Sequence, residues 1–542
     1  MELIKRNLHR TEQKAQGIQQ IALDEDMIVP DTKDDMESIL VDGGEVELEE
    51  IRLTPGKVQV RGRLYFRVLY HTQKQKSVDH LEGSIPFEET IHVEQASPGD
   101  DVRIDWDMEE LSATMIHSRK LNIKALLTLT AVVETDCVKL VTVEGDTSQG
   151  AQVASRSVEV AQMAVQLRDT YRIKEEVELS GNKPNVSQIL WYELEPRGIE
   201  CRPLDGKLSI HGEMEMFCIY KGEEDHIPLQ WVERSIPFSG AVEVTECTDE
   251  MIPDIRIRPI HRNVEAKEDC DGERRLLSLE AVIELDVRLY REESLEILED
   301  VYCPGADVTV EMQTMTLERL VKRNASKYKM TEKLSFGQGN KVLQVCHVDG
   351  SVKIDRITSE AGGLQVEGTL RVDVLYVAAD DNCPVRCLRG FLPFTHAVEV
   401  MDGSPKATKR SGDPDAAPTR QGTDTSWRYR IKPGLEQLGA MLLGNGEVEI
   451  KALITLDSLV LEPVTIENMD QVQIVPLDAA KFDQIPSMVG YVVQKGDTLW
   501  KVAKKFYASV DNIKTTNGLT TDELMPGQKL LILKETGGSL LS

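Results

Sequence analysis

Apolar and polar residues alternate through KVQVRGRLYFRVLY (57–70), KLSIHGEMEMFCIY (207–220) and GLQVEGTLRVDVLY (363–376). In each stretch the even positions are apolar, from Val58, Val60 and Leu64 in the first to Leu370, Val372 and Val374 in the last. A period of two places these side chains on one face of a β-strand, so each stretch predicts a long strand with one buried and one wet side. Gly62, Gly212 and Gly368 interrupt the inward row at the same position of each copy. A glycine there predicts a bulge, a bend or the close approach of another backbone.

Two further blocks recur in register with the first. SIPFEETI (84–91), RSIPFSGAV (234–242) and GFLPFTHAV (390–398) follow the central glycines, and NIKALLTL (122–129), SLEAVIEL (278–285) and EIKALITL (449–456) follow those. The chain therefore reads as three tandem repeats of about 150 residues, too long a period for a solenoid. Strands and turns with little helical periodicity predict a mainly β fold of antiparallel, sandwich-like repeats. Boundaries are expected at 21–165, 166–323 and 324–476, after a polar helical arm over 1–20. An insertion, 402–425, lacks Val, Ile, Leu, Met and aromatic residues, and is expected to be a disordered loop.

After a linker (477–488), residues 489–535 change grammar, before a short tail (536–542). Tyr491 and Val493 alternate; Leu499, Val502, Ala503 and Phe506 then take helical spacing, with Asp497 or Thr498 as cap. A second helix is expected after Ser509, stopping at Asn517-Gly518, and Pro526-Gly527 turns the chain into KLLIL. The order is β-α-α-β with a thin core, which Ile513→Ala should unfold.

Composition changes the picture in two places. The net charge of −29 argues against nucleic acid as a partner. Residues 490–535 carry seven Lys against five Asp or Glu, so a slightly basic module ends an acidic body. No run of eighteen apolar residues is present, the first residues do not resemble a secretory signal, and nine scattered cysteines fit a reducing compartment. A cytoplasmic protein is expected. No phosphate-binding loop appears, and Cys383 and Cys387 lack a second ligand pair. His347 beside Cys346 points to the opposite face of a strand. No catalytic residue, metal or cofactor is expected, and a wall hydrolase is disfavoured because the repeats offer no catalytic site.

The pattern Tyr491-x-Val493, Gly496-Asp497-Thr498-Leu499, Val502-Ala503, Asn517 and Pro526-Gly527-Gln528 resembles the LysM domain, a module that binds N-acetylglucosamine glycans such as peptidoglycan. The repeats, with LDEDMIVPD (23–31) and the Gly-to-Tyr strand, resemble the SPOCS domains of spore-coat proteins. Together they resemble the SipL-like family of spore-coat morphogenetic proteins. That resemblance implies a non-enzymatic scaffold in the mother-cell cytoplasm, at the forespore surface. Its LysM domain would tether a SpoIVA-like coat basement ATPase, with other coat proteins as further partners. The alternative is a peptidoglycan or lipid-linked precursor binder. By the same motif, the ligand groove would comprise Gly496, Asp497, Thr498 and Leu499, facing Asn517, Gly518, Leu519, Thr520 and Thr521. Gly496 and Asp497 could instead only shape the turn and cap the helix. Trp500 is expected to pack against the terminal strand rather than carry a sugar.

Overall fold

The computed structural model describes residues 1–73, 77–148, 150–223, 229–337, 341–360, 362–380, 384–400, 427–444, 446–477 and 486–533. The expected loop 402–425 and tail 536–542 lie outside the described residues.

The first repeat folds as β1 (Leu3–Ile28), β2 (Met36–Thr54), β3 (Lys57–Thr72), β4 (Val78–His92), β5 (Asp101–His117) and β6 (Lys120–Gly145). The second has β7 (Gln152–Glu178), β8 (Val186–Leu204), β9 (Lys207–Gly222), β10 (Gln230–Glu243), β11 (Ile252–Glu268) and β12 (Arg274–Tyr302). The third has β13 (Ala306–Ser335), β14 (Val342–Glu360), β15 (Gly363–Ala378), β16 (Val385–Glu399), β17 (Arg428–Leu443) and β18 (Glu447–Pro476). Each repeat is two antiparallel three-stranded sheets, ordered β1-β6-β5 and β2-β3-β4 in the first and equivalently in the others. The recurrent sequence blocks are the central strand β3, its neighbour β4 and the other central strand β6, with their counterparts. Between the sheets lie the alternating residues, Val58, Val60, Leu64 and Phe66 from one and Leu121, Ile123, Leu127 and Leu129 from the other, as their period requires.

The glycines are explained by what faces them. Gly62 pairs with Phe87, Gly212 with Phe238 and Gly368 with Phe394. On the other side the partner strand bulges, between Leu48 and Glu50, Arg197 and Glu200, and Ile354 and Arg356. A Cβ at Gly62 would stand 2.5 Å from the Glu47 carbonyl and 2.7 Å from Phe87 Cζ. Close backbone approach and an aromatic ring fill the space, so the expectation of a bulge holds.

Two expectations are corrected. Residues 1–20 are not a helical arm: they belong to β1, which pairs antiparallel with β6 from Leu3 to Ile28. Its alternation is weak because β1 is an edge strand with few inward residues, Leu8, Thr11, Gly17 and Ile21, and the apolar β6 supplies the pairing. The boundaries at 165/166 and 323/324 fall inside β7 and β13, because each repeat starts at the head of that strand, earlier than its periodicity suggests.

β1, β7 and β13 are long because each serves two bodies. β5 stops pairing with β6 at Glu134, so beyond it β6 and β1 continue as a two-stranded ribbon. Three such ribbons form a stem around Leu8, Val141, Val160, Leu295, Ile297, Met315, Leu317 and Ile466. At one seam the buried Asn468 side chain accepts from the Thr142 amide at 2.9 Å and donates to the Leu140 carbonyl at 3.1 Å, joining two backbones. Where sandwiches meet stem, Glu134 and Arg288, each with a side chain 2% exposed, form an ion pair between the first and second repeats. Burial alone would raise the Glu134 pKa, but Arg288 and its neighbours outweigh it and hold the carboxylate below its ordinary range. Arg430 of the third repeat reaches the same carboxylate at 3.6 Å, and with Lys432 it pairs with Asp254 of the second.

The sandwiches also meet head to tail, β4 against β8, β10 against β14 and β16 against β2. Equivalent residues converge there: Val41, Trp191 and His347 each face the strand position seven residues beyond the central glycine, Leu69, Ile219 and Leu375. The apolar members join one cluster from all three repeats. His347 stacks on Phe217 at 3.9 Å, with Nδ1 at 2.7 Å from Glu233 and Nε2 at 3.0 Å from Glu193.

Candidate functional site

The C-terminal module comprises β19 (Met488–Val492), α1 (Leu499–Phe506), α2 (Val510–Asn517) and β20 (Lys529–Leu533), the expected β-α-α-β order. Thr498 is the α1 cap, accepting from the Lys501 amide; Ser509 caps α2, which ends on Gly518 at φ 65°. The core is Val493, Leu499, Val502, Ala503, Ala508, Ile513, Leu530 and Ile532, to which the second repeat contributes Tyr302.

The nine expected groove residues divide by role. Asp497 accepts from the Tyr491 hydroxyl at 2.6 Å and the Gln494 amide at 2.8 Å, and these bonds hold its pKa below the ordinary carboxylate value. Thr498 is committed to its cap, and Leu499 is buried. Asn517 donates to the Ile513 carbonyl at 2.9 Å and the Leu531 carbonyl at 2.7 Å, and accepts from the Leu531 amide at 2.7 Å. Gly496, at φ 88°, and Gly518 shape turns, and Leu519 packs on the module's core. Thr520 and Thr521 are exposed, leaving polar groups on the surface that can meet an acetamido or hydroxyl group.

Trp500 takes a place the sequence did not suggest. Its indole Nε1 donates to Asp300 at 2.8 Å, and its ring meets Tyr302 edge-on at 4.8 Å. Lys504 Nζ donates to the other Asp300 oxygen at 2.6 Å, the Tyr302 hydroxyl donates to the Ala508 carbonyl at 3.0 Å, and the Tyr507 hydroxyl donates to Asp307 at 3.1 Å. Asp300, Tyr302 and Asp307 all sit on the tip of the β12–β13 hairpin. The signal available in the sequence was faint: an acidic and an aromatic residue two apart, on one face of a strand ending at Pro304-Gly305.

The model of the SipL, SPOCS domain matches residues 35–116, 185–267 and 341–414, and that of the LysM domain matches 491–533. The chain carries three SPOCS domain segments and a C-terminal LysM domain. The first two SPOCS matches span β2–β5 and β8–β11, leaving the stem-forming β1, β6, β7 and β12 outside them. The chain is 46% identical over 55 residues to the probable endopeptidase p60 of Listeria monocytogenes serovar 1/2a, covering 10% of this chain and 11% of that protein. It is 48% identical over 44 residues to the spore coat assembly protein ExsA of Bacillus cereus, 8% of this chain and 7% of that one. Over 67 residues it is 36% identical to the cell wall-binding protein YocH of Bacillus subtilis strain 168, 12% of this chain and 23% of that one. The chain thus covers under a quarter of each of these relatives. The endopeptidase likeness is a partial, LysM match and is not evidence of enzymatic activity in this chain. No solved structure matches. Among the described residues no group of His, Cys, Asp and Glu could hold a metal ion, and no helix is long and apolar enough to cross a membrane.

Proposed function

We propose that this chain is a non-enzymatic scaffold of spore-coat assembly, working in the mother-cell cytoplasm at the forespore surface. Its LysM domain tethers a SpoIVA-like coat basement protein, while the SPOCS body meets other coat proteins. The observation that carries this reading is the pairing of three interlocked SPOCS domains with a LysM domain held at the stem tip. The likeness to a spore coat assembly protein supports it. Deleting 489–535 and repeating a pull-down from sporulating cells tests it: loss of the basement protein and misplaced coat are expected, and unchanged recovery with normal coat placement overturns it.

A second reading, binding of peptidoglycan or its lipid-linked precursor, is favoured by the likeness to a cell wall-binding protein and by the exposed Thr520 and Thr521. Titration of the full chain with N-acetylglucosamine oligomers decides it. Saturable binding lost in Thr520→Val/Thr521→Val supports it, and absence of binding removes it.

A further inference from the structure

The LysM core contains one residue from outside the domain. Tyr302, 4% exposed, enters it from the β12–β13 hairpin tip, and Asp300 and Asp307 flank it to receive Trp500, Lys504 and Tyr507. Tyr507 is the single non-glycine with positive φ among the described residues, at 54°. An L-residue adopts that conformation only at an energetic cost, so the surroundings must hold it. Here it caps α1 and delivers the hydroxyl to Asp307.

Among the described residues the polar anchors on the body are Asp300, Tyr302 and Asp307, and the two carboxylates are only partly shielded from water. Such a contact between free molecules would be weak. Within one chain it is not: β18 ends at Pro476, paired with Ala306 beside the same tip, and β19 begins at Met488. A tether that short gives an effective concentration on the order of millimolar, which favours the closed contact far more than free molecules would.

We propose that the β12–β13 hairpin tip is a latch that fixes the LysM domain in one orientation on the SPOCS body and releases it as a swinging module when Asp300, Tyr302 and Asp307 are lost or screened. The latch bonds come from Trp500, Lys504, Tyr507 and Ala508, outside the expected groove segments 496–499 and 517–521. Latching therefore sets where the grip points without supplying it. The consequence for coat assembly rests on the reading of the LysM domain as a grip: a partner held by the latched domain is also aligned with the stem.

The test uses the full chain with methyl-labelled isoleucine. In the wild type, Ile513 and Ile532 methyls tumble with the body. In Asp300→Asn/Tyr302→Phe/Asp307→Asn they tumble severalfold faster at unchanged chemical-shift dispersion, and high salt moves the wild type the same way. The conservative triple variant keeps the Tyr302 ring in the core; should it unfold the domain, Asp300→Asn/Asp307→Asn gives the same readout. Independent tumbling in the wild type, or tumbling with the body in the folded variants, overturns the latch. Pull-down of the basement protein by the same variants separates the two ideas: retained capture with free tumbling supports the latch, whereas failure of capture by wild type and variants alike counts against the grip alone.

Discussion

Gly62 and Phe87 face each other across β3 and β4, and the ring occupies the space a side chain at the glycine would need. The third repeat is equally tight: a Cβ at Gly368 would lie 2.5 Å from the Lys353 carbonyl and 2.6 Å from Phe394 Cζ. Backbone cannot yield as a flexible side chain can. Gly368→Ala should therefore destabilise the chain by about 1–3 kcal/mol, as overpacking does. Denaturant unfolding measures it; a variant of wild-type stability would show that the ring swings away freely.

Glu134 and Arg288 are a buried pair, so removing one partner should cost more than removing both. Glu134→Gln leaves Arg288 buried opposite a neutral group, with an expected loss of about 3–5 kcal/mol. Glu134→Leu/Arg288→Met should recover most of it. A double-mutant cycle in urea checks the order, and additive losses would contradict it.

His347 has a carboxylate at each ring nitrogen, a geometry that demands the doubly protonated cation. Burial alone would lower its pKa, but the bonds to Glu193 and Glu233 prevail and raise it to about 9. A folded pKa above the unfolded one stabilises fully below the unfolded value, and that gain is lost as pH rises through the folded one. The stability advantage of wild type over His347→Gln should be full below about pH 6.5 and vanish as pH passes about 9. Asp349 acts in the same direction: burial and the nearby Glu193 and Glu195 raise it from 3.8 to about 7, so Asp349→Asn should gain on wild type as pH rises from about 4 to about 7 and keep that gain above it. Melting temperature against pH for the three proteins decides both; parallel curves would refute the assignment.

Asn517 and Thr521 separate structure from contact in the LysM domain. Asn517 stitches α2 to β20 with two hydrogen bonds to Leu531 and adds a third to Ile513 within α2, so Asn517→Ala should lower the domain's stability by about 1–3 kcal/mol by orphaning backbone groups. Thr521→Val should leave melting unchanged and reduce only ligand capture. Differential scanning calorimetry beside a binding titration tells them apart; equal melting of both variants would mean that Asn517 is dispensable to the fold.

What the sequence revealed follows from locality. The alternating rows, the glycine strand, the Pro-Phe blocks and the caps Thr498 and Ser509 express period or turn chemistry within a few residues, and the structure places them as expected. β1 escaped because an edge strand with a polar outer face has little alternation to show. Trp500 packs on the core that holds Leu530 and Ile532, but its bond to Asp300 could not be foreseen because that partner is 200 residues upstream. The Glu134 hub and the His347 seam were illegible for the same reason: charged residues on a strand look solvated until another repeat covers them.

Fusing the three repeats frees them from having to be alike. In an assembly of separate identical subunits, one substitution alters every copy, and an imidazole between two acids would have to work at all three junctions. In this chain the same junction holds valine in the first copy, tryptophan in the second and histidine in the third. A single gene has thus bought three differently tempered joints, and a pH-dependent one can be confined to one side of a body that stays closed on the others.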